Sequence, residues 1–202
     1  MTSRAPIDFY FEFSSPYGYI ASQLVEDFEK RVGRELRWRP MLLGPVFKIT
    51  GQPPLVEIPM KGEYSKRDFL RSARMHGVPY KHPSKFPIGT VAAMRAFYWV
   101  QDRDAALARK LAKALYTAFF VDDIDISSPA TVIEIASKVG VDGTQLAKAL
   151  EDPALKERAK KEVDAAIAAN VFGSPFFIVD GEPFWGVDRM PMIEEWIRKG
   201  GW

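Results

Sequence analysis

From Ile7 to Phe13 the chain alternates Ile7, Phe9, Phe11 and Phe13 with Asp8, Tyr10 and Glu12, a period of two in residue types that predicts a β-strand. The period then changes. Apolar residues recur at Tyr17, Ile20, Ala21, Leu24, Val25 and Phe28, which share one face of a helix. Ser15 is placed to cap that helix, Pro16 to be its first residue and Gly33 to end it. Residues 36–41 predict a second strand, with Pro40 marking its end or an edge, so the chain opens as a βαβ unit.

Residues 42–87 are rich in Gly and Pro, with one helical stretch at 64–75. A connection of that length is expected to bind something or to carry small elements of its own. Residues 88–170 then read as helical almost throughout, with runs at 91–100, 105–119 and 156–169. Between them, Ser128-Pro129 opens a helix that Gly140 closes, and Asp142 with Gln145 resembles a capping box. Strands return at 176–179 and 182–185, joined by the hairpin turn Asp180-Gly181, and an amphipathic helix at 190–198 follows. The order β-α-β, helical block, β-β-α predicts an α/β thioredoxin-like fold with an inserted all-helical domain. The core would be discontinuous, 1–45 and 171–202, and the insertion 46–170. With no repeat or flexible linker between them, the insertion is expected to pack on the core.

Composition narrows the chemistry. The 202 residues include no Cys and two His, so the protein's own side chains supply no disulfide, thiolate metal site or thiol redox reaction. Any sulfur chemistry must be borrowed. His76 and His82 cannot build a three-histidine metal site, and both read as solvated loop residues; no metal is expected. A net charge of +2 is too small to argue for nucleic acid. No run of 18 apolar residues and no apolar leader is present, so the expectation is a cytoplasmic protein without membrane contact.

Three places could carry chemistry. Ser14-Ser15-Pro16-Tyr17-Gly18 joins the first strand to the first helix, where unpaired N–H groups and the helix dipole favour an anion; the plainer role for Ser15 is a cap. Gly173-Ser174-Pro175 directly precedes a strand and marks a turn, or a cis-proline that aims a backbone at a ligand. Gly186-Val187-Asp188-Arg189 precedes the final helix, where Asp188 could cap that helix, hold a ligand's ammonium or pair with Arg189. Gln52, Lys61 and Arg95 lie in or beside the long connection. No catalytic triad, nucleophile elbow, P-loop or dinucleotide fingerprint is present.

Taken together, FYFEFSSPYGYIAS, LLGPVFKITGQPP, FVDDIDISSPATVIEIASKVGVD and NVFGSPFFIVDGEPFWGVDRM, from Ile7 to about Trp196, resemble the 2-hydroxychromene-2-carboxylate isomerases. That family is grouped with kappa-class glutathione transferases and DsbA-type thiol–disulfide oxidoreductases. The resemblance implies that Ser15, at the position of the oxidoreductases' Cys-x-x-Cys, is the catalytic serine, with Pro16 and Tyr17 beside it in a glutathione site. Pro175 then matches the family's cis-proline, and Ser174 would pair its backbone with glutathione's cysteine. Val187 and Asp188 would hold the γ-glutamyl end, and Lys61 a carboxylate. Gln52 stands where the family has Asn, one methylene shorter. The implied activity is a glutathione-dependent cis–trans isomerisation in naphthalene-type aromatic breakdown, on a small aromatic carboxylate, by a homodimer. Ser15 would donate to the sulfur and so favour the thiolate, which adds to the substrate and leaves after bond rotation. Phe47, Phe97, Phe120 and Trp185 are the expected apolar walls of the substrate slot, with Lys48 or Arg95 as counter-ion. The alternatives are a kappa-like transferase or peroxidase, and a non-catalytic protein that binds glutathione or a peptide.

Overall fold

The computed structural model describes residues 5–202. Strand β1 (Ile7–Phe11) leads through Ser15 into helix α1 (Pro16–Val32), and β2 (Leu36–Pro40) returns parallel to β1, Phe9 lying opposite Trp38. Strand β3 (Phe176–Val179) pairs antiparallel with the other side of β1, Phe9 opposite Phe177, and β4 (Glu182–Trp185) completes the order β2-β1-β3-β4. The β3–β4 turn needs two left-handed residues, Asp180 and Gly181, with φ 53° and 91°.

This registry puts Phe9, Trp38 and Phe177 in one row. Phe9 meets each of the others at 5.2 Å, edge-on to Trp38 and stacked on Phe177. That face belongs to the main core, with side chains of α1, α4 (Val91–Gln101) and α5 (Ala105–Phe120). The opposite face carries Tyr10 and Phe176 into a smaller core with Val46 of α2 (Leu43–Thr50), Ala166 of α8 (Pro153–Ala168) and Val171. Both sheet faces are therefore covered, as in other layered α/β folds. Helices α6 (Pro129–Lys138) and α7 (Gly143–Glu151) extend the main core, and α9 (Met190–Lys199) closes the chain.

The elements differ from the sequence expectation in specific ways. The 42–87 connection holds α2, a short 3-10 turn at Leu55–Glu57 and α3 (Lys61–Met75), which starts three residues before the expected 64. A domain boundary at 45 falls within α2. Pro45 is tolerated there because the first turn of a helix has no intrahelical acceptors for its N–H groups. Helix α8 begins at Pro153 rather than 156, because Asp152 accepts from the Ala154 N–H at 2.8 Å and caps it. The Gln145 side chain bonds the Asp142 carboxylate instead of its backbone, so only half of a capping box forms. His82 is partly buried rather than a freely solvated loop residue: it packs on Phe86 at 5.0 Å and bonds the Tyr80 hydroxyl at 2.9 Å. Among the described residues, no helix is long and apolar enough to cross a membrane.

Helix α8 is fastened to the sheet by Arg39 of β2, which donates to Glu162 at 2.8 Å while its guanidinium lies 5.1 Å over the Tyr10 ring. Both ends of that ion pair are largely shielded, at 18% and 17% side-chain exposure. Removing Glu162 leaves Arg39 with only its longer contact to Asp8, at 3.5 Å, and Arg158 with only Asp102, at 3.5 Å. Glu162→Ala is expected to lower the unfolding free energy by about 2 kcal/mol in a urea titration. Asp164→Ala, in the exposed pair with Lys160, should leave the urea midpoint almost unmoved.

Candidate active site

The four residues after β1 form the floor of the site. Ser15 is extended, at φ −95° and ψ 115°, and its Oγ accepts from the Gly18 N–H at 3.0 Å, which caps α1. The same hydroxyl donates to the Ser174 carbonyl at 3.0 Å, so capping and facing the C-terminal loop are one arrangement. Ser174 precedes Pro175 through a cis peptide bond, and its Oγ accepts from the Glu12 N–H at 3.0 Å. The Glu12 carbonyl accepts from the Ser15 N–H and from the Tyr116 hydroxyl, each at 2.9 Å.

The Glu12 side chain is buried among these groups, at 6% exposure. One carboxyl oxygen accepts from the Ser14 N–H at 2.8 Å and the other from the Thr90 hydroxyl. Burial pushes this carboxyl up to about 7, against the opposing pull of those two hydrogen bonds. Gly18 faces the same knot. A methyl group there would lie 2.6 Å from Ser174 Oγ and 2.9 Å from the Tyr116 oxygen.

Above this floor opens a cleft of about 1190 Å³. Ser15, Pro16, Tyr17, Gln52, Lys61, Ser174, Val187 and Asp188 all line it, and Pro175 lies next to Ser174 in the chain. Residues far apart in the sequence thus meet on one cavity. Tyr17 donates to Asp68 at 2.5 Å and meets the Phe69 ring edge-on at 5.0 Å. Burial first, then the hydrogen bond to Asp68 and the charge of that carboxylate, hold its phenol far above the ordinary range, so it remains a donor. Asp188 sits in a 3-10 turn (Val187–Arg189), pairs with Arg189 at 3.5 Å and does not cap α9. Gly186 before it, at φ 116°, leaves room for the Asp188 carboxylate, which would otherwise meet a side chain at 2.4 Å.

The expected walls divide. Phe47 and Trp185 line the cleft, and Trp185 stands edge-on to Phe172 at 5.0 Å. Phe97 and Phe120 do not: both are fully buried, Phe97 edge-on to Phe11 and Phe120 stacked on Tyr19. Lys48 and Arg95 are not among the lining residues; Arg71 and Arg189 join Lys61 as its cations, with Arg71 tied to Asp68. Sequence reasoning also passed over Glu12, Thr90 and Tyr116. The available signal for Glu12 was a carboxylate inside an otherwise aromatic stretch. No cluster of metal-ligating side chains occurs among the described residues.

Known proteins share the fold that carries this cleft. Residues 6–198 match the DSBA-like thioredoxin domain, and the chain belongs to that family. It is 29% identical to a 2-hydroxychromene-2-carboxylate isomerase of Pseudomonas putida, over 93% of this chain and 92% of the relative. It is 24% identical to glutathione S-transferase kappa 1 of Rattus norvegicus, over 95% and 92%. A solved structure of a 2-hydroxychromene-2-carboxylate isomerase superposes with a TM-score of 0.86 at 26% identity, covering 96% of this chain and 95% of that one.

Two outcomes follow from the floor of the cleft. Ala for Gly inside a helix normally adds about 1 kcal/mol, but here the added methyl must displace two buried hydroxyls. Gly18→Ala should therefore destabilise by about 1–3 kcal/mol in chemical unfolding, and a gain in stability would remove the packing argument. For Glu12, a folded-state value above the unfolded one means that the native protein holds the proton more tightly. Its stabilising contribution is complete below about pH 4.5 and is lost as pH rises towards 7. Glu12→Gln should abolish this slope, so that the variant gains on the wild type by about 3 kcal/mol between pH ~4.5 and ~8.

Proposed function

We propose that the protein is a glutathione-dependent isomerase that interconverts 2-hydroxychromene-2-carboxylate and trans-o-hydroxybenzylidenepyruvate in the breakdown of naphthalene-type aromatics. The carrying observation is a cleft built around a capping serine in a chain with no cysteine. The dimensions and groups fit the tripeptide. About 1190 Å³ exceeds what a single drug-sized ligand fills, which leaves space for a small aromatic acid beside it. Bound glutathione would supply the nucleophilic sulfur that the protein's own side chains lack.

The roles of the chain's residues follow from their chemistry. The Ser15 hydroxyl, now donated to the Ser174 carbonyl, turns that hydrogen towards an anion in the cleft and frees the carbonyl to accept a peptide N–H. The N-terminus of α1, with Pro16 and Tyr17 in its first turn, adds its field at the same point. Together they favour a thiolate by about one to three pK units, since a hydrogen bond to a charged group contributes about 1.5–3 kcal/mol and a helix terminus about 0.3–1 kcal/mol. Lys61 offers the cation for a peptide carboxylate, with Gln52 beside the same wall. Asp188 offers the anion for an ammonium, next to the Val187 backbone. Phe47 and Trp185 give an aromatic substrate an apolar slot. This reading puts the protein in the cytoplasm, where reduced glutathione is available.

A kappa-like transferase is the second reading, favoured by the transferase relative that covers almost the whole chain. Mixing the protein, glutathione and 2-hydroxychromene-2-carboxylate and following the absorbance spectrum separates the two. Turnover supports the isomerase. No turnover, together with conjugation of a chloronitrobenzene, supports the transferase, and glutathione binding without either activity would leave a binding protein. Ser15→Ala is expected to raise the thiol pKa of bound glutathione by about one to two units, read from the ultraviolet thiolate band across pH. An unchanged value would remove Ser15 from the mechanism. Lys61→Ala should weaken glutathione binding about tenfold by calorimetry, the loss of one charged hydrogen bond.

A further inference from the structure

Glu12 has no part in the roles above, yet it borders the cleft and its main chain bonds both Ser15 and Ser174. Its surroundings are unusual for a charge. Ser14 and Ser15 lie on the loop it begins, Thr90 stands at the start of α4, Tyr116 reaches over from α5 and Ser174 precedes β3. Of these only Tyr116 titrates, and burial, then the Glu12 charge, hold its phenol well above the ordinary range. Among the described residues no Lys, Arg or His bonds or pairs with the Glu12 carboxyl, so a negative charge there rests on two neutral donors.

Those two donors suit both protonation states. With the carboxylate ionised, the Ser14 N–H and the Thr90 hydroxyl both donate to it. With the carboxyl protonated on Oε1, the Ser14 bond to Oε2 stays and the new O–H donates to Thr90 Oγ1. A hydroxyl both donates and accepts, so the network reverses one bond without moving a heavy atom. The carboxyl is thus built to hold a proton or to release it, at a wall of the cavity where an anion is expected.

We propose that Glu12 is the proton acceptor of the cleft: its carboxylate takes up the proton lost when a thiol binds beside Ser15 as a thiolate. The inference rests on the glutathione reading. The S–H bond breaks with its electron pair left on sulfur, and an O–H bond forms on Glu12, so the buried site gains no net charge and needs no other reactant. Two anions at one buried floor repel, and a bound thiolate raises the Glu12 titration by about one pH unit or more.

Proton stoichiometry tests this directly. Glutathione is added to the protein near pH 8 in weak buffer, and protons released are measured with an indicator while the thiolate band reports the thiolate formed. The wild type should release well under one proton per thiolate, and Glu12→Gln one. A purely structural Glu12 would not change this ratio. Thr90→Val keeps the carboxyl but removes the donor that favours its charge. More of Glu12 is then already protonated, so the ratio should rise towards one even if the glutamine variant does not fold. One proton per thiolate in the wild type overturns the proposal. Absence of any thiolate band in the wild type overturns the glutathione reading itself, and this inference with it.

Discussion

Ser174 ties the loop that enters β3 to the β1–α1 connection, beside the β1–β3 pairing that brings these two parts of the chain into one sheet. Its hydroxyl accepts from the Glu12 N–H and its carbonyl from the Ser15 hydroxyl, contacts that span 162 and 159 residues of sequence. One side of the joint is the β1–α1 connection; the other is the loop that enters β3. Without it the start of α1 would face a displaced loop, and Ser15 would be only a cap. The joint is almost dry, with Ser14, Ser15 and Ser174 at 7–8% exposure, so each of its hydrogen bonds is costly to leave unmade.

What holds the joint still is the aromatic packing beneath it. The row Phe9, Trp38 and Phe177 spans three strands, and Phe11, Phe13 and Tyr116 continue it towards the site through rings 5.2–6.0 Å apart. Tyr116 ends that series with its hydroxyl on the Glu12 carbonyl. The core and the polar floor therefore share a residue, and the position of the floor is set by close packing rather than by loop hydrogen bonds alone. This also explains why the helical block, although inserted between strands, contributes to the site: α4 brings Thr90 at its start and α5 brings Tyr116.

Much of this was legible in the sequence, for identifiable reasons. The hairpin at Asp180-Gly181 and the cap at Ser15 were readable because a turn that needs positive φ and an orphan helix N–H each admit few residue types. Helix α2 was not, because Gly44, Pro45, Gly51 and Pro53 look like a loop when the tolerance of a first turn for proline is ignored. The alternation in 7–13 located the strand but suggested a polar face, whereas Tyr10 and Glu12 are both buried. That face is polar only in part: Asp8 meets Arg37 and Arg39, while Tyr10 packs into the smaller core. Local pattern also misplaced the slot walls. Phe97 and Phe120 are aromatic like Phe47 and Trp185, and nothing local separates a core ring from a cleft ring. The ring of residues expected around the cleft came from a family resemblance, not from spacing.

The balance of charge around the floor shows how such a site works on an anion. Its cations, Lys61, Arg71 and Arg189, are exposed side chains, and Arg71 and Arg189 already face Asp68 and Asp188. At the floor itself the favourable groups are dipoles: the Ser15 hydroxyl and the first N–H groups of α1. Dipoles fixed by packing stabilise an anion without requiring that a counter-ion be dehydrated as well, which is the larger cost in a dry cavity. They also supply only partial charge, so a second full negative charge nearby would cancel much of their effect. Glu12 is that charge when ionised. A floor built from dipoles therefore works best if its own carboxyl can become neutral, and the Thr90 hydroxyl, able to donate to or accept from it, gives the carboxyl a partner in either form.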